Sequence, residues 1–442
     1  MHTIADLKAG KLKGLSRVQI SENLTEFPLE ILDLADTLEV LDLGNNKLSA
    51  LPDNFACLTK LKILFISNND FEVVPQVLAD CPALTMIGIK ANKLTIVPEH
   101  CLPVDTRWLI LTDNQITKLP DSMGELTKLQ KCALAGNQLT ELPASMANCR
   151  ALQLIRISAN QLKTFPSFLL QLPKLAWIAF AGNPFHPTLA GDDSLPLVDL
   201  ADLEAHEELG QGASGVISRA TWLKPQSGLA NSDRTVALKV YKGEKTSDGF
   251  ARDELNACVA AGTHPNLVEV IAKIDADLQL GLVMGLISKD FINLGEPPTL
   301  QSCTRDYFSD DFMLNVSAAL KIVKCIADTM LHLKEKGIAH GDLYAHNILV
   351  NDDAEVLLGD FGAASNYASL SADDAKALEA VEVRAFGCLL EDLLGSCCDS
   401  DECPDVFEPM VLLKNRCMHP KGFARPTFAE IKADLAAIEV TE

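Results

Sequence analysis

An asparagine recurs through the first half of this chain, at Asn23, Asn46, Asn69, Asn92, Asn114, Asn137, Asn160 and Asn183, and every interval but one is 23 residues. A fixed apolar frame surrounds each copy: Leu38, Leu41, Leu43 and Leu48 around Asn46, and Leu61, Leu64, Ile66 and Phe71 around Asn69. Alternation of Leu41 and Leu43 is the period of a strand with one inward face. The asparagine amide can satisfy backbone groups where the chain turns away. A proline follows six residues after six of the asparagines, at Pro52, Pro75, Pro98, Pro120, Pro143 and Pro166. It suits an irregular segment opposite the strand, where no ladder donor is needed.

Eight copies of this frame resemble the leucine-rich repeat family, with its LxxLxLxxNxL pattern and one short strand per turn of an α/β solenoid, or horseshoe. The frame leucines are expected in the core and the asparagines in a structural ladder. Function is expected of the residues pointing out of each strand. That column is unusually apolar, holding Val40, Ile63, Phe65, Met86, Trp108, Ile110, Leu154 and Trp177. An exposed apolar patch marks an interaction surface, so a protein substrate or regulator is expected on the concave face. Cover by the second domain or a flanking loop is the other reading.

The array is expected to span 1–185. A Pro- and Asp-containing stretch over 186–204 reads as a linker that also caps the solenoid. Charge shifts at the same place: the formal net charge of −22 divides into −4 over 1–200 and −18 over 201–442. Such acidity argues against nucleic acid or anionic lipid as the main partner, since both require a basic footprint. No apolar stretch is long enough for a spanning helix, and MHTIADLKAGKLKGL lacks a signal-peptide core. Thirteen cysteines without a metal-type CxxC pair read as reduced thiols, and a cytoplasmic protein is expected.

The second half carries phosphate chemistry. LGQGASGVI contains Gly210, Gly212 and Gly215 in a GxGxxG pattern, and the β-branched VISRATW that follows suits a strand better than the helix of a dinucleotide fold. VALKV places Lys239 in a short apolar strand, where it needs an anionic partner. Glu254 lies on a helical stretch before His264-Pro265-Asn266, HGDLYAHN holds Asp342 and Asn347, and GDFG supplies Asp360. In this order, closed by RPTFAEI, the motifs over about 205–437 resemble the protein kinase family, an α+β bilobal fold.

The resemblance implies ATP and Mg2+ as cofactors, with a role for each matching residue. Gly210, Gly212 and Gly215 would cover the phosphates, while Ile217, Ala237 and Leu349 would pack on adenine behind Met284 at the gatekeeper place. Lys239 would hold the α- and β-phosphates and pair with Glu254, although the spacing to the HPN motif leaves Asp253 as a second candidate. Asp342 would accept the proton of a substrate hydroxyl, and Asn347 and Asp360 would bind Mg2+. His264 and His340 read as scaffold.

Four departures from the pattern stand out. Gly341 replaces the arginine that grips an activation-loop phosphate. Tyr344 stands where Ser/Thr kinases place a lysine, and His346 where tyrosine kinases place an arginine. Glu382 takes the place of an Asp only 22 residues past Asp360, with no APE triplet between. Arg425 therefore lacks its usual glutamate. An active kinase, most simply a Ser/Thr kinase whose repeats recruit its substrate, is the leading expectation. The alternatives are a pseudokinase scaffold acting through the concave face and a kinase-like small-molecule phosphotransferase.

Overall fold

The computed structural model describes residues 1–186, 195–212, 214–224, 234–244, 246, 248–276 and 279–439. Much of the stretch read as a linker and cap (187–194), and Ala213 of the glycine-rich turn, lie outside the described residues. Two compact units are present: Met1–Leu175 with Asn183–Phe185, and Ala176–Gly182 with His186–Glu442.

A short helix α1 (Ile4–Lys8) precedes eight three-residue strands: β1 (Arg17–Gln19), β2 (Val40–Asp42), β3 (Ile63–Phe65), β4 (Met86–Gly88), β5 (Trp108–Ile110), β6 (Lys131–Ala133), β7 (Leu154–Arg156) and β8 (Trp177–Ala179). They form one sheet in chain order. Each strand sits at the expected point of the repeat, with its middle residue (Leu41, Leu64, Leu109) buried. The asparagines bond as a ladder. Asn69 Nδ2 donates to the carbonyls of Leu43 (2.9 Å) and Ile66 (3.1 Å), and its oxygen accepts the Leu48 amide at 2.8 Å. One side chain thus ties two successive turns of backbone that no strand satisfies. The residue before the ladder asparagine adopts a left-handed conformation at Asn45, Asn68, Ala91, Asp113 and Ala159. The repeat prolines Pro75, Pro120, Pro143 and Pro166 each begin a 3-10 turn opposite the strand.

The apolar column is less open than its sequence implied. Val40, Ile63, Phe65, Trp108 and Ile110 are half-exposed. Met86, Leu154 and Trp177 are buried. Met86 lies between its register neighbours Ile63 and Trp108, and Leu154 pairs with Lys131. Trp177 is covered by a ring of its own unit, described below.

In the second unit β9 (Leu203–Gln211), β10 (Gly215–Trp222), β11 (Thr235–Tyr241), β12 (Val270–Ala276) and β13 (Gln279–Met284) form an antiparallel sheet of order β12-β13-β11-β10-β9. Helix α2 (Ala251–Ala261) packs on it. The sheet's second face closes on a core of Val198, Leu203, Ala220, Trp222, Val236 and Leu238. Beyond it come helix α3 (Val316–Glu335), whose apolar stripe from Val316 to Leu333 is buried, and α4 (Ala372–Gly395), α5 (Pro404–Cys417) and α6 (Phe428–Ala436). Asn315, Ser371 and Thr427 cap α3, α4 and α6 through side-chain oxygens, the residue types whose short oxygens reach unbonded first-turn amides. Among the described residues, no helix is long and apolar enough to cross a membrane.

Candidate active site

A cleft of about 550 Å³ opens between the five-stranded sheet and the segments that follow it. Its walls include Gly210, Ile217, Ala237, Lys239, Glu254, Met284, Asn347, Leu349 and Asp360. Sheet register explains the first group: Ala237 stands opposite Met284, and Ile217 opposite Lys239. Three of the expected residues are not on its walls: Gly212, Gly215 and Asp342. At Gly215 a side chain would stand 2.6 Å from the Val240 carbonyl, so strand packing already requires glycine there.

Lys239 bonds Glu254, and both are largely buried. That resolves the two candidates on α2, because Asp253 turns elsewhere. Its Oδ2 is buried with no hydrogen-bond partner among the described residues, and burial pushes its carboxyl up to about 6. Burial works against the Lys239 charge, but the carboxylates of Glu254 and Asp360 outweigh it and hold the ammonium above the ordinary lysine value. The chain therefore keeps a fixed cation on the cleft floor.

Asn347 Nδ2 donates to Asp342 twice, to the backbone carbonyl at 2.9 Å and to Oδ2 at 3.1 Å. This fixes the Asp342 carboxylate and leaves the Asn347 amide oxygen for a cation. Asp360 has φ +51°, and its Oδ1 accepts the Gly362 amide at 3.1 Å. Left-handed backbone at a non-glycine residue is tolerated best by Asp and Asn, and it aims this carboxylate back into the cleft. His340 joins the two loops: its Nδ1 accepts the Asp342 amide at 3.3 Å, so Nε2 carries the proton donated to the Gly359 carbonyl at 3.0 Å. As expected, it is scaffold.

The residues that depart from the family pattern have partners of their own. His346 Nδ1 lies 2.7 Å from Asp306 Oδ1, and its amide donates to Asp306 Oδ2 at 3.0 Å. Burial disfavours its charge, yet Asp306, with Asp342 and Asp360, holds it above the ordinary histidine value. Position four residues after Asp342 flagged His346, but nothing local flagged Asp306. Glu382 Oε1 accepts the Gly341 amide at 2.9 Å, and burial pushes its carboxyl up to about 7. Arg425, without the glutamate its motif usually has, donates to the carbonyls of Ala380 (2.7 Å) and His419 (2.8 Å). Ser365 is buried, its Oγ beside the Ala363 carbonyl.

A lysine held by a glutamate, the Asp360 carboxylate and the Asn347 amide share one apolar cleft, with the Asp342 carboxylate held beside it, a set of groups suited to a polyphosphate with a hard divalent ion. The second half matches the family model described as protein tyrosine and serine/threonine kinase over residues 203–389, and residues 36–94 match a leucine-rich repeat model. The chain carries a leucine-rich repeat region followed by a protein kinase domain. Similar known proteins include fibroblast growth factor receptor 1 of Pleurodeles waltl, 24% identical over 35% of this chain and 20% of the relative. Serine/threonine-protein kinase PITSLRE of Drosophila melanogaster is 28% identical over 38% of this chain and 16% of its own length. Cyclin-dependent kinase 2 of Caenorhabditis elegans is 28% identical over 36% and 39%. The chain thus spans well under half the length of each. The kinase domain is bilobal, with the antiparallel sheet as one lobe and α3–α6 in the other.

Proposed function

We propose that this chain is a Mg2+-dependent protein kinase that transfers the γ-phosphoryl group of ATP to a serine or threonine hydroxyl of a protein. The observation that carries this reading is the convergence of the Lys239–Glu254 pair, Asn347 and Asp360 on one cleft, with Asp342 held by Asn347 beside it. Ile217, Ala237, Met284 and Leu349 supply the apolar walls for a purine. Gly210, Gly212 and Gly215 would lie over the phosphates and Lys239 against them. The oxygens of Asn347 and Asp360 would hold Mg2+, which neutralises charge on the transferring group when bound. Asp342 then orients the acceptor hydroxyl and takes its proton. Preference for serine and threonine is supported by the names of relatives such as the PITSLRE kinase.

The functional division we propose is a repeat array over 1–185, a linker over 186–204 and a kinase domain over 205–437. A protein partner on the half-exposed column Val40, Ile63, Phe65, Trp108 and Ile110 is supported by the interaction role of leucine-rich repeats. None of the thirteen cysteines is in a disulfide, which supports a reducing, cytoplasmic setting. The reading is tested by incubating the full chain with γ-labelled ATP, Mg2+ and a panel of basic and neutral protein substrates. Asp342→Asn is expected to lower transfer by about 10²–10⁴-fold with ATP binding retained. Equal transfer by variant and wild type refutes the role of Asp342, and no transfer by an ATP-binding wild type refutes the kinase reading.

The pseudokinase alternative has one observation in its favour. Tyr344, in the place of a phosphate-binding lysine, is buried under another aromatic ring. Partner capture by the repeats with no phosphoryl transfer would establish that reading instead.

A further inference from the structure

Ala176–Gly182 continues the repeat spacing, yet it is part of the second compact unit. Trp177 is 1% exposed there. Its indole N–H donates to the Leu343 carbonyl at 3.0 Å, and its ring stacks on Tyr344 with centroids 4.3 Å apart and planes 9° from parallel. The Phe180 amide donates to Ser365 Oγ at 3.1 Å. A side chain on Gly341 would stand 2.5 Å from the Ile178 carbonyl and 2.7 Å from that of Ala363. At the far end, a side chain on Gly182 would stand 2.7 Å from Phe250 and from Asp253, which begin the helix of Glu254. Seven residues therefore touch the loop of Asp342, the stretch after Asp360 and the start of α2.

These are the three parts whose alignment the proposed phosphoryl transfer needs. The related pattern has an arginine before the catalytic aspartate, ready for a phosphate on the stretch after DFG. Here that position is a glycine at φ +72°, and the space a side chain would need is taken by the Ile178 carbonyl. We propose that Trp177 is a positioning residue. By bonding Leu343 and stacking on Tyr344 it holds the loop that carries Asp342 in the reactive arrangement, in place of a phosphorylated activation loop. Tyr344 then serves as the platform for this contact and does not act on phosphate. The proposal rests on the kinase reading above. Misplacement of a reacting group by about 1 Å costs on the order of 10²-fold in rate, so the contact bears on turnover more than on ATP capture.

The test compares full-length wild type, Trp177→Ala and Trp177→Phe in steady-state transfer, ATP binding and amide hydrogen exchange. Trp177→Ala is expected to lower kcat by about 10–100-fold with KM for ATP within about twofold. Trp177→Phe, which keeps a ring for the stack but loses the donor, is expected to recover part of kcat. Phosphatase treatment of the wild type should leave kcat unchanged. An unchanged kcat in Trp177→Ala, or a large loss of wild-type rate on dephosphorylation, overturns the proposal. Where Trp177→Ala fails to fold, Trp177→Phe decides: reduced kcat at unchanged ATP affinity supports the role, and wild-type kcat overturns it. If the wild type transfers no phosphate, the kinase reading falls by itself. The positioning contact is then judged by exchange of amides 341–347, faster in Trp177→Phe if it holds the loop and unchanged if it does not.

Discussion

Replacing Glu382 with glutamine should make the protein more stable, and more so at high pH. Glu382 lies on α4, is 7% exposed, and accepts the Gly341 amide at 2.9 Å. Burial opposes its charge more than that bond and the His340 amide support it, and the nearby Glu379 carboxylate adds to the opposition. Its carboxyl therefore stands at about 7 instead of the ordinary 4.5. Between those values the folded chain binds a proton that the unfolded chain has released, so this residue's contribution falls as pH rises through that window and is level above it. At about 1.4 kcal/mol per tenfold change in proton affinity, the full penalty is about 3 kcal/mol. Most of it develops between about pH 5 and about pH 8. Glutamine keeps an oxygen for the Gly341 amide and does not titrate. Urea unfolding of the full chain, wild type beside Glu382→Gln, measures the difference at each pH. With a slope of about 2–3 kcal/mol/M, the gap between midpoints should widen by about 1 M from the lower pH to the higher. A gap that stays constant would mean Glu382 is already ionised in the folded protein, and the burial argument would be wrong.

Glu254→Gln should cost about 3–5 kcal/mol and most of the ATP affinity, because it leaves the buried Lys239 without its partner. Thermal unfolding and nucleotide titration check this, and an unshifted midpoint would show the pair to be dispensable. Asn69→Ala should destabilise the repeat region by about 1–3 kcal/mol, since it strands the Leu48 amide and removes one of the two side-chain donors to each of the Leu43 and Ile66 carbonyls. Hydrogen exchange at the Leu48 amide should rise with it. Ala91, at φ +51°, carries the cost of a left-handed alanine. Ala91→Gly should gain about 0.5–1 kcal/mol despite the extra freedom of an unfolded glycine. A loss in urea unfolding would contradict that accounting.

Some of this was legible residue by residue. The 23-residue asparagine spacing placed all eight strands, because a ladder amide and two inward leucines recur once in every turn and leave a periodic trace. The places of Lys239, Asn347, Leu349 and Asp360 on the cleft were legible for a similar reason: each sits in a short motif whose backbone conformation is locally set. The choice between Glu254 and Asp253 was not. They are neighbours on one helix, and only the direction from which Lys239 approaches separates them. Asp306 was also hidden, since the residue that gives it meaning, His346, lies 40 positions away.

The apolar outward column shows the division most plainly. Sequence alone determined that Trp108 and Trp177 occupy the same site in the repeat, because strand alternation makes a side chain face out regardless of what lies beyond. Only the tertiary structure decided that Trp108 stays half-exposed while Trp177 is buried, its indole bonded to a carbonyl 166 residues later and its ring on Tyr344. Gly341 follows the same logic. As a motif letter it was a missing arginine, but in the folded chain it is the one residue type that lets the Ile178 and Ala363 carbonyls come so close. Periodicity encodes which way a residue points. What it meets there depends on elements the local pattern never samples.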